Sequence, residues 1–300
     1  MPSPPVDRPL DADRVAALIA ARFPEVTGTP ERIGSGWDNE MYRVGEWLFR
    51  FPRTADIAPW LERELLVQPH LLRAVAPVPM PEYTLVSGAV EGLFPYTFVG
   101  YRPIPGVDLN AAERLSPDLP GDLGAMLSRL HAVDPALVPP PPKFRERSDW
   151  QRLADALVRD AETIRPRVPE PALRDAEAFL AGAAPPPPFA GPPRVLHNDL
   201  YGSHVLVDPA SGALTGVIDW TDMGVGDPVV DFLELVAVDG YAFTDAMLAS
   251  YTLPRDPCFD ERLRWASRAM SLYWLDKADP GDLRHHLRWL LRAFEVESGA

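Results

Sequence analysis

Residues 197–208 read HNDLYGSHVLVD, and Asp219 closes a short apolar run, TGVID, soon afterwards. A histidine and two acids set between apolar runs are the residue types that phosphoryl transfer requires. That reaction asks little covalent chemistry of a protein. It needs a group that orients the acceptor hydroxyl, ligands for Mg²⁺, and donors around the phosphates. Asp199, His204 and Asp219 are the candidates for such work.

Such loops need rigid elements to hold them. Residues 11–23 place Val15, Leu18, Ile19 and Phe23 on one helical face behind an Asp cap. From Glu31 to Phe51 the pattern becomes strand-like, with a turn at Gly45-Glu46, and residues 59–73 return to helix until the prolines at 77, 79 and 81. Strands follow at 83–87 and 94–102, which makes a small α+β unit. Beyond PIPG at 103–106 the chain reads as helices over 118–132, 148–165, 170–182, 229–251 and 259–296. Short strands are expected near 194–196, 204–207 and 214–219. The proline runs at 139–142 and 185–193 read as stiff connectors.

Composition narrows the class. Of the 300 residues 46% are hydrophobic and 24% charged, as in a globular protein. The formal net charge of −14 repels polyanions, so nucleic acid and anionic membranes are not expected partners, whereas a cationic small substrate is favoured. One cysteine, Cys258, permits no internal disulfide and fits a reducing cytoplasm. The N-terminal residues show no basic region leading into an apolar core, and no run reaches the roughly twenty apolar residues of a membrane span. A cytoplasmic location is expected.

In protein kinases a catalytic-loop Asp is followed five residues later by a Mg²⁺ ligand, and a second Asp ends a later strand. Asp199, position 204 and Asp219 repeat that order. HNDxxxxHxxxD followed by IDW resembles the catalytic core of the aminoglycoside phosphotransferase family, antibiotic kinases that share the protein-kinase fold. The likeness extends to IGSGWDNEMYRV, WLFRFPR, ERELLVQPHLL, YRPIPG, GDLGAMLSRLHAVD and GVGDPVVDF. It implies a bilobal α+β fold. Residues 1–102 would form a small antiparallel-sheet lobe that binds nucleotide, and residues 103–300 a mainly helical lobe for catalysis and acceptor binding.

The resemblance also implies roles. Asp199 would orient or deprotonate the acceptor hydroxyl, and Asp219 with His204 would hold Mg²⁺. His197 would fix the loop through backbone or the Asp219 region. Arg50, paired with Glu64, would clamp the phosphates, with Ser35 and Gly36 in the nucleotide loop. Two positions depart from the usual pattern. The family usually has Asn where this chain has His204, although aminoglycoside 2''- and macrolide phosphotransferases carry His there. Most kinases have Lys where this chain has Arg50, whose fork is larger. Arg53 is a second candidate, but strand alternation sets Leu48 and Arg50 on one face and Phe49 and Phe51 on the other.

The donor implied is ATP or GTP, and the acceptor a small-molecule antibiotic, first an aminoglycoside and otherwise a macrolide. Asp222, Glu234 and Asp239 would suit ammonium groups, and Trp274 an apolar face. A monomer or weak dimer is expected. Some features have plainer readings. GSG at 34–36 alone reads as a hairpin turn, Asp227 before Pro228 as a helix cap, and His131 as a helix-end residue. Two rival classes remain: a hydrolase with a transition metal on His197, Asp199, His204 and Asp219, and a nucleotide-binding pseudokinase.

Overall fold

The computed structural model describes residues 6–36, 38–142, 148–182, 184–278, 281 and 283–296. The chain begins with helix α1 (Ala12–Arg22), capped by the Asp11 carboxylate, which accepts from Arg14 N at 2.8 Å. Strands β1 (Glu31–Ser35), β2 (Asn39–Val44) and β3 (Trp47–Pro52), helix α2 (Ala58–Val75), and strands β4 (Leu85–Ser87) and β5 (Phe98–Tyr101) follow. The five strands form one antiparallel sheet in the order β1-β2-β3-β5-β4.

Strand alternation decides what each face of this sheet buries. Phe49 and Phe51 of β3 join Phe94, Phe98 and α1 in an aromatic core, with Phe51 stacked on Phe98 at 4.9 Å between centroids. The opposite face carries Leu48 and Arg50 and meets α2 through Leu61, Tyr83, Val99 and Tyr101.

After β5 come β6 (Val107–Asp108), α3 (Leu119–Leu130), α4 (Trp150–Ile164), α5 (Glu170–Gly182), β7 (Arg194–Leu196), β8 (Val205–Val207), β9 (Leu214–Val217), β10 (Gly224–Gly226), α6 (Val236–Ala249), α7 (Phe259–Lys277) and α8 (Leu283–Ala293). Two small antiparallel sheets, β6-β8-β9 and β10-β7, lie among these helices. The architecture is α+β, with a sheet-rich first part and a helical second part. The first sheet ends at Tyr101, beside the expected lobe boundary, but α2 reaches across it. Val67, Leu71 and Val75 of α2 are buried in the main core of the helical part, together with α3 and β7–β9. One helix thus ties the sheet to the region that holds the polar loops.

Two expected helices are broken. Instead of a helix over 229–251 there is a 3-10 turn at Pro228–Phe232 and then α6, interrupted at Asp239 and at Gly240, whose φ is +66°. The stretch 259–296 is two helices, α7 ending at Lys277 and α8 resuming at Leu283. Turn-forming residues stand at both places in the sequence, Asp239-Gly240 in the first and Asp279-Pro280-Gly281 in the second, so local breaker chemistry rather than apolar periodicity reports the breaks. Strands β6 and β10 have two and three residues, too few to show a period.

Close approach explains one glycine. A Cβ on Gly124 of α3 would lie 1.9 Å from the carbonyl oxygen of Met247 in α6. Gly124→Ala is therefore expected to cost about 1–3 kcal/mol by overpacking. Urea unfolding of the purified variant checks this.

Candidate active site

The two small sheets explain how the polar loops are held. Residues 197–204 connect β7 to β8, and Asp219 follows β9, the partner of β8. Both loops pass through left-handed backbone, with φ +67° at Asn198 and +62° at Asp219, a conformation that Asn and Asp tolerate better than other residues with a Cβ. Asn198 Nδ2 also donates to the carbonyl of Asp222 at 2.9 Å, which joins the two loops.

His197 is fully buried and both of its ring nitrogens are engaged. Asp199 N donates to Nδ1 at 3.3 Å, so the proton sits on Nε2, which donates to the carbonyl of Ile218 at 3.0 Å. With neither nitrogen left for a metal, a four-ligand centre on His197, Asp199, His204 and Asp219 is not formed. Burial pushes the His197 pKa down to about 4 from its ordinary 6.5, although Asp231 opposes the shift. The folded state resists a proton that the unfolded chain accepts. Stability is therefore full above pH 6.5 and falls as pH drops toward 4. The loss expected from this residue is about 3 kcal/mol at 1.36 kcal/mol per pKa unit. His197→Gln should flatten that part of the stability curve, measured by urea midpoints at neutral and acid pH.

His204 continues the arrangement. Its Nδ1 donates to the Asp199 carbonyl at 2.8 Å, which leaves Nε2 facing Asp219 Oδ2 at 3.5 Å. The Asp199 carboxylate lies 3.6 Å from the same ring and is about one-quarter exposed. The Asp219 side chain is half-exposed. Burial of its surroundings raises its pKa, but the His204 imidazole and the Arg50 guanidinium outweigh this and hold it below the usual carboxylate range.

The sheet side supplies the cation. Arg50, buried, donates through Nη1 to Glu64 Oε1 and Oε2 at 3.3 and 3.4 Å and to Tyr83 Oη, and through Nη2 to Thr221 Oγ1 at 2.6 Å. Nη2 also stands 3.8 Å from Asp219 Oδ1. Tyr83 and Thr221 in turn donate to Glu64, at 2.6 and 3.3 Å. Burial pushes the Glu64 carboxyl up, and Arg50 and the hydrogen bond from Tyr83 pull it back. Arg53 serves another place, since its Nη1 donates to the Gly36 carbonyl at 2.7 Å and its Nε lies 3.5 Å from Glu40. Gly36 N donates to Asn39 O at 3.0 Å, closing the β1–β2 turn. Of Ser35 only the backbone, in β1, is described.

The four acceptor-side candidates each have their own surroundings. Asp222 lies in the loop that Asn198 anchors, and Glu234 meets His285 Nε2 at 3.2 Å. Asp239 meets Arg292 at 3.4 Å, and Trp274 stacks on His286 with centroids 6.3 Å apart.

Several residues of this site lie outside the sequence expectations. Asp231, fully buried, accepts from His197 N at 2.8 Å and Asn198 N at 2.7 Å. His131 Nε2 donates to the same carboxylate at 3.0 Å, and its Nδ1 meets Tyr251 Oη at 2.8 Å. His131 is thus a buried brace for the 197–204 loop rather than only a helix end. Asp227 does cap the turn at Pro228, accepting from Val229 N at 3.1 Å, and it also pairs with buried Arg262 at 2.7 Å. The second acid of GDPVVDF was the available signal for Asp231. Nothing local marked Thr221 or Tyr83.

Among the described residues no group of three or more His, Cys, Asp or Glu is arranged to hold a metal ion. Asp219 and His204 form a pair. The Asp219 carboxylate is the kind of ligand Mg²⁺ takes, with phosphate oxygens and water filling the rest of its shell, whereas the His204 imidazole is softer than the oxygen donors Mg²⁺ prefers.

The model of the phosphotransferase enzyme family matches residues 29–268. The chain belongs to this family. As a phosphotransferase it is similar to the uncharacterized protein YcbJ of Bacillus subtilis (strain 168), 26% identical over 220 residues that make up 68% of this chain and 67% of YcbJ. It is also 26% identical to the viomycin phosphotransferase of Streptomyces vinaceus over 193 residues, 60% of this chain and 64% of that protein. Among solved structures, the GDP complex of wild-type aminoglycoside 2'-phosphotransferase-IIIa superposes with a TM-score of 0.71 at 22% identity, covering 95% of this chain and 99% of that one. Macrolide 2'-phosphotransferase type I gives 0.60 at 18% identity, covering 97% and 99%. These neighbours share the bilobal kinase-like fold with this phosphotransferase. None of its helices, among the described residues, is long and apolar enough to cross a membrane.

Proposed function

We propose that this phosphotransferase moves the γ-phosphoryl group of ATP or GTP, with Mg²⁺, to a hydroxyl of a small-molecule antibiotic. The observation that carries the reading is the meeting of three groups from distant segments. Asp219 stands within 3.5 Å of His204 Nε2 and 3.8 Å of Arg50 Nη2, and the Asp199 carboxylate lies 3.6 Å from His204. A carboxylate for the hydroxyl, a metal-binding pair and a phosphate-binding cation would then stand together where the sheet meets the loops of the helical part.

Asp199 holds the acceptor hydroxyl and takes its proton as the new O–P bond forms. The bond from the γ-phosphorus to the bridging oxygen breaks, and the nucleoside diphosphate leaves with that electron pair. Arg50, held by Glu64, Tyr83 and Thr221, steadies the phosphate oxygens. Asp219 and His204 would hold Mg²⁺, which supplies neutralisation of phosphate charge. The names of the similar proteins, a viomycin and a macrolide phosphotransferase among them, support an antibiotic acceptor.

The test incubates the protein with Mg²⁺, ATP or GTP, and a panel of aminoglycosides, macrolides and cyclic-peptide antibiotics. Mass spectrometry of the products should show one drug gaining a single phosphoryl group. Nucleotide binding without any phosphorylated product would favour the pseudokinase reading instead.

A further inference from the structure

An unbroken row of rings leads away from the catalytic loop. The Tyr201 ring lies 4.2 Å from that of His204 and 5.6 Å from His285. His285 is 5.2 Å from His286, and His286 stacks on Trp274 with an interplanar angle of 12°. Tyr201, His285, His286 and Trp274 are all partly exposed. The row therefore presents ring surface beside Asp199.

The carboxylates nearby are already answered from within the chain. Helix α8 reads LRHHLRWLLRA, basic throughout and without an acid, and it packs against α6. Its His285 holds Glu234 at 3.2 Å, in a pair whose side chains are only 16% and 14% exposed, and its Arg292 holds Asp239 at 3.4 Å. Asp222 lies in the field of the buried Arg63 guanidinium, whose pKa is lowered by burial and drawn back by that carboxylate. A polycation gains affinity from carboxylates that lack partners. Here it would first have to displace the His285 imidazole or the Arg292 guanidinium, and parting the mostly buried Glu234–His285 hydrogen bond leaves a polar group unsatisfied. Ring surface offers the other kind of affinity, through area and dispersion.

We infer that the Tyr201–His285–His286–Trp274 row is the acceptor subsite, and that it takes a hydroxyl compound with an extended apolar face and at most one positive charge. A macrolide has this chemistry and a polyamino sugar does not. The inference rests on the phosphotransfer reading above. It gives His285 a double duty, as ring surface and as the hydrogen-bond partner of Glu234.

The experiment compares erythromycin with kanamycin on the Mg²⁺–nucleotide complex, by turnover and by calorimetric binding. Erythromycin should be preferred by about tenfold or more in kcat/KM. Trp274→Ala should raise KM for erythromycin about tenfold more than KM for the nucleotide, and Trp274→Phe should recover most of that loss. His285→Ala releases Glu234 and should improve kanamycin binding several-fold. Preference for kanamycin by the wild type, or an erythromycin KM that Trp274→Ala leaves unchanged, overturns the assignment. If no compound of the wider panel is phosphorylated either, the phosphotransfer reading fails, while the calorimetric ranking of erythromycin and kanamycin still decides between the two acceptor chemistries.

Discussion

Asp199→Asn lowers kcat by about 10²–10⁴-fold, the usual contribution of a positioned general base, and leaves nucleotide affinity close to that of the wild type. The reason lies in what holds this residue. Its backbone carbonyl accepts from His204 Nδ1 at 2.8 Å and its N–H donates to His197 Nδ1 at 3.3 Å, so the main chain is fixed whatever the side chain carries. The amide keeps the size of the carboxylate but cannot take a proton. Arg50, Glu64 and Asp219 are untouched, so the phosphates should still bind. Steady-state turnover with a saturating acceptor, beside nucleotide titration by calorimetry, separates the two quantities. Wild-type turnover in the variant would remove Asp199 from the mechanism, and a parallel loss of nucleotide affinity would make its role structural.

How much of this could be read from the chain depends on distance in sequence. His197, Asp199 and His204 sit in one eight-residue loop, and Asp219 is delivered beside them by the β8–β9 pairing. Spacing reports such local arrangements well. Arg50 and Glu64 are 14 residues apart, yet strand alternation in β3 was enough to aim Arg50 away from the phenylalanine core.

The braces were harder to see. Asp231 reaches the loop from 33 and 34 residues away, His131 meets Asp231 across 100, and Thr221 meets Arg50 across 171. Their types are common in caps and turns, and only the fold shows them buried against a partner. Glu234 and Asp239 read alone as carboxylates open to a cationic substrate. The basic helix that answers them, α8, lies some fifty residues downstream, with His285 51 residues from Glu234.

Removing one member of the buried cluster around Arg50 should be costly for the same reason that the cluster was hard to foresee. Glu64→Ala leaves the Arg50 guanidinium buried with only Tyr83, Thr221 and the more distant Asp219 as partners. Breaking a buried pair from one side typically destabilises by about 3–5 kcal/mol, because the remaining charge is left uncompensated. Glu64→Gln keeps the shape and an acceptor oxygen, so it should cost less. Arg50→Lys is not a conservative change here. A single ammonium cannot meet Glu64, Tyr83 and Thr221 as the two arms of the fork do, and the hydroxyl of Thr221 would lose the donor now at 2.6 Å. That variant should stay folded but bind nucleotide more weakly, with KM for the nucleotide rising about tenfold. Urea unfolding of the Glu64 variants and nucleotide titration of Arg50→Lys give the two readings. A Glu64→Ala cost within about 0.5 kcal/mol, the range of ordinary surface substitutions, would show that Arg50 is held by its hydroxyl partners and needs no carboxylate.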